Sequence, residues 1–228
     1  MTQVRGHRRV VAIVQARMRA ARLPGKVLAD IAGRPMLWYV VKRVRMARFV
    51  DQVVVATSTE SADDAIAEFC AQHNFECFRG SETDVLDRFY QAAKRFDTDV
   101  VVRVTADCPL LDSQVIDRVI ASYLGNGYDY VTNTLRYTYP DGLDVEVFSL
   151  EALEAAWREA SLPAEREHVT PYLRASGRFR VHNVEHDVDL SARKLRWTVD
   201  EPPDLEFVRA VYTRIGPQGQ NFGLADVL

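Results

Sequence analysis

Four basic residues lie within ten positions, directly after an apolar run near the start of the chain. They are Arg17, Arg19, Arg22 and Lys26. With 29 Lys and Arg in 228 residues, ten positions would hold about 1.3 cations on average. Arg offers phosphate a planar pair of donors, and Lys offers a compact positive charge. A solvated basic loop is one interpretation, but the abrupt change from apolar run to cations favours a polyphosphate site.

Two carboxylates that follow apolar runs form a candidate metal site. Asp107 comes just after the run Val100–Thr105, and Asp200 comes directly after Leu195–Val199. Ligands of parallel sheets bind outside the carboxyl ends of the strands. One or two carboxylates together with substrate phosphates are typical of Mg²⁺ binding. Two alternatives stay open: Asp107 caps the following turn, and Asp200 is the N-cap of a helix that begins with proline.

Weaker polar patterns lie around residues 79–88 and 144–146. The turn after Gly80 precedes a helix, and its polar groups are placed to hydrogen-bond a base edge. Asp84 and Arg88 are also spaced as an ordinary surface pair, and this second interpretation is favoured. Asp144 and Glu146 alternate onto one strand face, where solvation is favoured over contact with a sugar hydroxyl.

The spacing of apolar residues predicts alternating strands and helices in the first half. Strands rich in β-branched residues are predicted at Val10–Gln15, Gln52–Thr57 and Val100–Thr105. Helices are predicted at Pro35–Arg48, Ser61–His73, Asp84–Phe96 and Asp112–Leu124, with Asp84 and Asp112 as N-caps. Because parallel strands need crossover connections, repeated βα units favour a mainly parallel sheet with helices on both faces.

The second half has a different pattern. Strands are predicted at Tyr128–Thr132, Leu143–Phe148, Phe179–Val188 (antiparallel or at an edge) and Leu195–Val199, with a turn at Pro140–Gly142. Helices are predicted at Leu150–Ala160, Pro163–Ser176 and Pro202–Arg214. The tail, residues 216–228, is predicted to be loosely held. The expected organisation is one domain of two halves, 1–127 and 128–215, in which the second half is an insertion that shapes the acceptor side of a cleft.

Composition excludes several classes of partner. The net charge of −3 gives no broad basic footprint, which argues against nucleic acid as the main partner. No segment approaches the ~20 apolar residues of a membrane helix. The three cysteines match neither a disulfide framework nor CxxC metal pairs, so a reducing cytoplasm is expected.

Six segments in this order carry a resemblance over Val10–Val211. They are QARMRAARLPGKVLADIAGRPML from Gln15, GSETDVLDRF from Gly80, RVTADCPLLD from Arg103, DGLDVEVFS from Asp141, REHVTPYL from Arg166 and TVDEPPDLEFV from Thr198. Together they resemble the cytidylyltransferase family, in particular the SpsF-type spore-coat polysaccharide biosynthesis proteins related to CMP-KDO synthetase.

The resemblance implies a fold and an activity. The fold is an α/β, three-layer, Rossmann-like nucleotidyltransferase (GT-A type) fold, mainly parallel, with a small antiparallel extension on the acceptor side. The activity is formation of a CMP-activated sugar or sugar acid from CTP, with Mg²⁺ and release of pyrophosphate, in surface polysaccharide biosynthesis. A homodimer is also implied.

The resemblance also implies roles for individual residues. It implies catalytic roles for Arg17, Arg22, Lys26 and Asp107. It implies that the residues in contact with CTP are Ala16, Arg17, Arg22, Lys26, Gly80, Asp84, Asp87, Arg88 and Thr105. Metal ligands are Asp107 and Asp200, and acceptor contacts are Asn133, Asp144, Glu146, Glu167 and His168.

Two alternatives to this activity remain. One is a glycosyltransferase of the same fold that uses a finished nucleotide sugar and releases no pyrophosphate. The other is a protein that binds nucleotide without turnover. It is suggested by Arg19, Ala20 and Ala21, which stand where the family places Gly, Ser or Thr.

Overall fold

Strands and helices alternate along the chain in the computed structural model, which describes residues 7–216 and 222–228. The strands are β1 (Val10–Gln15), β2 (Asp30–Ile31), β3 (Arg34–Pro35), β4 (Gln52–Ser58), β5 (Glu76–Gly80), β6 (Val100–Thr105), β7 (Tyr130–Thr132), β8 (Glu146–Ser149) and β9 (Val181–Asn183). The helices are α1 (Met36–Val44), α2 (Asp64–Gln72), α3 (Val85–Arg95), α4 (Ser113–Asn126), α5 (Leu150–Glu159), α6 (Pro163–His168), α7 (Pro171–Ala175), α8 (Pro202–Ile215) and α9 (Leu224–Val227).

The main sheet is parallel among the strands of residues 10–105 and mixed among the later strands. Within the described residues it has seven strands in the order β5-β4-β1-β6-β8-β7-β9. The strands β5, β4, β1 and β6 are parallel, whereas β8 is antiparallel to both of its neighbours. This confirms the predicted mainly parallel sheet with a small antiparallel extension.

The sheet is buried on both faces, which gives the fold three layers. Along β1, Val10, Ala12 and Val14 pack into one apolar cluster with residues of α1, α4 and α8. Val11 and Ile13 point to the opposite face and pack with residues of α3 and α5. The continuous apolar run of β1 is therefore what a strand covered on both faces requires.

The predicted elements of the first half are confirmed, with small differences at their ends. The helix predicted from Ser61 begins with a 3-10 turn (Ser61–Asp63), and α1 ends at Val44 rather than Arg48. Asp84 and Asp112 are N-caps, since their side chains accept hydrogen bonds from the first turns of α3 and α4.

Three predictions for the second half are wrong, two of them only in part. The strand predicted over 179–188 is limited to β9, which is an edge strand but runs parallel to β7. Because its partner β7 ends at Thr132, the chain beyond Val184 has no neighbouring strand with which to continue the hydrogen-bonded pairing. The helix predicted over 163–176 is broken into α6 and α7, because Val169 adopts a φ of +71° and Pro171 supplies no backbone donor.

The segment 195–199 is extended but is not a strand of the sheet. Its backbone bonds two loops instead: Trp197 N donates to Asp141 O at 2.6 Å, and Val199 N donates to Asp107 O at 2.8 Å. We call this segment the strut. It carries Asp200 to the end of β6.

The prediction that residues 216–228 form a loosely held tail is wrong for residues 222–228. Residues 217–221 lie outside the described residues. Phe222 is buried, and its carbonyl accepts a hydrogen bond of 2.7 Å from the buried guanidinium of Arg43. The same guanidinium lies 4.1 Å from the Phe222 ring centroid. Leu224 N donates to Asp112 Oδ2 at 2.7 Å. The end of the chain is therefore docked on the α1 and α4 side of the sheet.

No helix in the described residues is both long and apolar enough to cross a bilayer.

The docked tail gives a stability prediction. Phe222→Ala removes a buried ring from contact with Arg43 and Tyr212, so we expect the free energy of unfolding to fall by about 3 kcal/mol. Urea unfolding measures it. Leu228→Ala is the control, because that side chain is 44% exposed and its loss should matter little. Equal, small effects of the two variants would mean that the tail does not dock.

Candidate active site

The basic loop between β1 and Lys26 is folded back on itself. Gly25 N donates to Met18 O at 2.8 Å, and Gly25 has a φ of +75°, a conformation that favours glycine. Met18 N in turn donates to Asp63 Oδ1 at 2.7 Å. The loop is thereby closed at its base and tied to the helical segment that follows β4.

Asp63 is a buried anchor for this loop. Its second carboxylate oxygen accepts the Ser58 hydroxyl at 2.5 Å and the Ser58 N–H at 3.1 Å. Burial alone would raise the pKa of Asp63, but the hydrogen bonds from Ser58 and Met18 hold the pKa below its ordinary value. Asp63 lies within the helix predicted over 61–73, a pattern that gives no sign of this anchoring role.

Lys26 lies between the two predicted metal ligands. Its Nζ is 2.8 Å from Asp107 Oδ2, 2.8 Å from Asp200 Oδ1 and 2.7 Å from the carbonyl oxygen of Val199. Burial works to lower the pKa of Lys26, but the two carboxylates outweigh it and the pKa is raised. The ammonium is therefore charged and holds both carboxylates at one point.

The strut brings Asp200 to Asp107 across 93 positions of sequence. Besides its hydrogen bond to Asp107 O, it packs against the turn at Gly142, whose φ is +104°. A Cβ at Gly142 would lie 2.5 Å from Thr198 N, so only glycine allows this approach. The turn predicted from Pro140 to Gly142 is confirmed, and it sets the position of the strut.

Two arginines complete the surroundings of Asp200. Arg22 Nη2 lies 2.9 Å from Asp200 Oδ2, and Arg196 Nη2 lies 2.7 Å from the same oxygen. Arg196 also reaches Asp204 at 3.1 Å. Burial raises the pKa of Asp200, but hydrogen bonds and charge from Lys26, Arg196 and Arg22 bring it below its ordinary value. Arg196 was missed, because only the folded strut places it beside Asp200.

One cleft joins the basic loop to the carboxylate pair. Its volume is about 240 Å³, and its lining comprises Gln15, Arg17, Ala20, Ala21, Arg22, Lys26, Val27, Thr105, Ala106, Asp107 and Asp200. Arg17 is exposed and forms no ion pair within the described residues. Gln15 was not predicted and binds Arg103 at 3.0 Å. The side chains predicted to receive phosphates and metal thus share one concave surface.

The residues predicted near the base lie around the start of α3. Asp84 pairs with Arg166 at 2.5 Å, and Asp87 accepts the Trp157 indole N–H at 2.8 Å. Arg88 is buried and donates to Ser81 O at 2.7 Å. Burial and the nearby charge of Arg17 lower the pKa of Arg88 to about 10. Asp84, Asp87 and Arg88 therefore hold the Gly80–Asp84 turn in place.

The residues predicted to meet the acceptor fall into two groups. Asn133 is buried, and its amide donates to Leu143 O at 2.8 Å and accepts from Val145 N at 2.9 Å. Glu146 is buried and contacts four protein donors: Arg103, Arg174, Tyr130 and Thr170. Glu167 and His168 are exposed on α6. Both buried side chains are thus satisfied by the protein itself.

Asp144 differs from its neighbour Glu146. Burial, together with the charges of Asp141 and Glu146, raises the pKa of Asp144 to about 7. Burial also opposes the charge of Glu146, but Arg103 and Arg174 lower its pKa to about 2. Two carboxyl groups two positions apart therefore have opposite electrostatic surroundings.

Comparisons with known proteins agree on one description. The family model described as cytidylyltransferase matches residues 11–214. The spore coat polysaccharide biosynthesis protein SpsF of Bacillus subtilis is 35% identical over 213 residues, which cover 91% of this chain and 88% of that protein. A 3-deoxy-manno-octulosonate cytidylyltransferase of Geobacter sulfurreducens is 38% identical over 117 residues, 51% of this chain and 46% of that protein.

A solved structure extends this similarity to the whole fold. The structure of a cytidylyltransferase from Leptospira borgpetersenii has a TM-score of 0.90 and 32% sequence identity, covering 97% of this chain and 92% of that chain.

The Glu146 network gives a prediction that depends on pH. We expect Glu146→Gln to lower the free energy of unfolding by about 3 kcal/mol at pH 7, because Arg103 and Arg174 lose their buried partner. Its lowered pKa contributes stability that is complete above about pH 4.3 and is lost as the pH falls towards about 2.

Urea unfolding at pH 7 and pH 3 measures this difference, which should shrink at the lower pH. Glu159→Gln is the matched control, because Glu159 pairs with Arg178 at the exposed surface and should contribute little. A penalty for Glu146→Gln that is no larger than that of the control would contradict the network.

Asp144 gives a prediction of the opposite sign. Between about pH 4 and about pH 7 the unfolded chain loses the Asp144 proton while the folded protein keeps it, so the raised pKa progressively lowers the stability of the folded protein over this range. Asp144→Asn should therefore raise the free energy of unfolding by about 2 kcal/mol at pH 8 and change it little at pH 4. Unfolding curves at both pH values measure the effect, and a loss of stability at pH 8 would refute it.

Proposed function

The chain belongs to the cytidylyltransferase family, as its motifs indicated, and on that premise we propose that it transfers CMP from CTP to a sugar or sugar acid with release of pyrophosphate. The observation that carries the proposal is the single cleft in which Arg17 and Arg22 stand beside Asp107 and Asp200. The surface polysaccharide context is proposed from the relative named as a spore coat polysaccharide biosynthesis protein.

The phosphates of CTP occupy the basic end of the cleft in this proposal. Arg17 and Arg22 bind the β- and γ-phosphates, and the Thr105 side chain lines the same cleft. Ala16, predicted to contact CTP, is buried instead, and its N–H donates to Ala56 O at 3.1 Å. Lys26, which lies between the two carboxylates, adds its positive charge to the same cleft. Pyrophosphate gains charge as its bond to the α-phosphate breaks, so fixed cations stabilise the transition state more than the ground state.

The carboxylate pair fits Mg²⁺ in its usual setting. Asp107 and Asp200 are close enough to share the Lys26 ammonium, and each is partly open to the cleft. The described residues contain no group of three or more His, Cys, Asp or Glu that forms a complete metal cage. Mg²⁺ is commonly held by one or two carboxylates plus substrate phosphates, so the pair suffices. When bound, the ion neutralises phosphate charge.

The reaction exchanges a phosphoanhydride bond of CTP for a phosphodiester bond to the acceptor. An acceptor hydroxyl oxygen attacks the α-phosphorus of CTP and forms a new P–O bond. The bond from the α-phosphorus to the bridging oxygen of the β-phosphate breaks, and pyrophosphate leaves with that electron pair. The hydroxyl proton is released. The protein contributes chiefly orientation and charge, as is usual in phosphoryl transfer.

Each half of the chain binds one of the two substrates in this proposal. We assign residues 1–127 to nucleotide binding, with the turn at Gly80 facing cytosine and supported by Asp84, Asp87 and Arg88. We assign residues 128–215 to the acceptor and to a homodimer contact. The free thiols of Cys70, Cys77 and Cys108 suit the cytoplasm.

Asp107→Asn tests the assigned chemistry. The variant keeps the size of the side chain but loses its charge, so we expect pyrophosphate release from CTP, Mg²⁺ and acceptor to fall at least about 100-fold. Screening sugars and sugar acids with the wild-type protein supplies the acceptor. Chelation of Mg²⁺ should stop the wild-type reaction.

Asp187→Asn is the matched control, because Asp187 is exposed, pairs with Arg118 and lies outside the cleft lining. Thermal unfolding verifies that both variants are folded. Unchanged turnover of Asp107→Asn would remove Asp107 from this role. CTP binding without pyrophosphate release across the screen would instead favour a nucleotide-binding protein whose loop at Arg19, Ala20 and Ala21 has lost activity.

A further inference from the structure

Gln15 lines the cleft at the end of β1, and the proposed function gives this side chain no role. Arg103 Nη2 donates to Gln15 Oε1 at 3.0 Å. A guanidinium can only donate hydrogen bonds, so the atom that faces Arg103 must be the amide oxygen. The amide nitrogen has no acceptor among the residues that the structure describes. Gln15 therefore has two N–H donors available to a ligand in the cleft.

The orientation of Gln15 is fixed before any ligand arrives, because Arg103 is itself anchored. Arg103 forms an ion pair with Glu146, which is 3% exposed and also pairs with Arg174. Glu146 accepts the Tyr130 hydroxyl at 2.5 Å as well. A donor that is already oriented loses little conformational freedom on binding, which favours its use in ligand recognition.

The order of the strands places Gln15 between the sites proposed for cytosine and for the reacting phosphates. The parallel strands lie in the order β5-β4-β1-β6, and Gln15 is in register with Thr105 at the end of β6. Neighbouring strands are about 4.8 Å apart, so β1 lies roughly 10 Å across the sheet from β5 and roughly 5 Å from β6. Cytosine is assigned to the turn at Gly80, after β5, and the metal to Asp107, after β6. The ribose joins these two parts of CTP, so it passes over the end of β1.

We propose that the side-chain amide of Gln15 donates a hydrogen bond to a hydroxyl oxygen of the CTP ribose and makes the protein select ribonucleotides over deoxyribonucleotides. The inference rests on the proposed function and adds a specificity-determining residue to it. Phosphate is not the expected partner of this neutral amide, because the charged donors of the basic loop bind phosphate more strongly. A site built to hydrogen-bond a hydroxyl rejects an analogue that lacks it, because the polar group of the protein is then left unpaired.

The test compares the affinities of CTP, 2′-deoxy-CTP, 3′-deoxy-CTP and UTP, measured by calorimetry with Mg²⁺ on the wild-type protein and on Gln15→Met. Since Gln15 is only partly buried, we expect the wild-type protein to bind CTP about tenfold more tightly than one of the two deoxynucleotides. Gln15→Met keeps the length of the side chain but removes the amide, so this preference should fall to about twofold or less.

The ratio of affinities separates a contact with the ribose from a merely structural role. A variant that only loosens the cleft weakens the binding of all four nucleotides equally and leaves the ratio unchanged. Thermal unfolding verifies that Gln15→Met is folded. If it is not, Gln15→Ala leaves room for water to hydrate Arg103 and should show the same loss of preference.

Gln72→Met is the matched control, because Gln72 is exposed at the end of α2 and lies outside the cleft lining. It should leave all four affinities unchanged.

Three results would overturn the assignment. The first is a wild-type protein that binds CTP no more tightly than either deoxynucleotide. The second is the same preference in the wild-type protein and in the Gln15 variants. The third is a variant that loses preference for CTP over UTP instead, which would assign Gln15 to the base. Failure of the wild-type protein to bind CTP with Mg²⁺ would count against the proposed function, and the two failures stay distinguishable because no acceptor is needed.

Discussion

The contact of one ammonium group with two carboxylates holds the candidate active site together. Lys26 comes from the loop after β1, Asp107 from the end of β6 and Asp200 from the strut, and the three meet within 2.8 Å contacts. Burial of the ammonium is compensated only because both carboxylates are present. Without this contact, Asp107 and Asp200 would repel each other. Arg22 also joins the loop after β1 to Asp200, at 2.9 Å, but Lys26 is the described side chain that contacts both carboxylates.

Buried carboxylates elsewhere in the chain differ by whether the protein itself satisfies them. Asp63 and Glu146 have their oxygens bonded by protein donors, and both have lowered pKa values. Both have structural roles: Asp63 anchors the basic loop, and Glu146 pairs with two arginines. Asp144 has no ion-pair partner in the described residues, its hydrogen bond comes from the Gly142 backbone, and its pKa is raised. A carboxylate that the fold leaves uncompensated beside a cleft is more informative about ligands than one enclosed in a complete network.

The sequence allowed prediction of the parts that depend on local patterns. Buried strands β1 and β6, the caps Asp84 and Asp112 and the turn at Gly142 each carry a short-range signal, and each was predicted. The rule that ligands bind at the carboxyl ends of parallel strands was enough to bring Arg22, Lys26 and Asp107 together. Asp63 and Arg196 could not be found in this way, because their roles arise from contacts across long stretches of chain. The strut was misassigned for the same reason: its extended backbone bonds to loops rather than to a strand.

The charge arrangement of the cleft has a consequence for how substrates enter under the proposed function. A nucleotide triphosphate alone would meet the cations of Arg17 and Arg22 but also the carboxylates of Asp107 and Asp200. A divalent ion alone would meet those carboxylates together with the cations of Lys26 and Arg22, which repel it. The ion and the nucleotide together match the cleft, since each cancels the repulsion that the other meets. Binding is therefore expected to be favourable for the pair and weak for either component alone, which suits an enzyme that must also release a charged product.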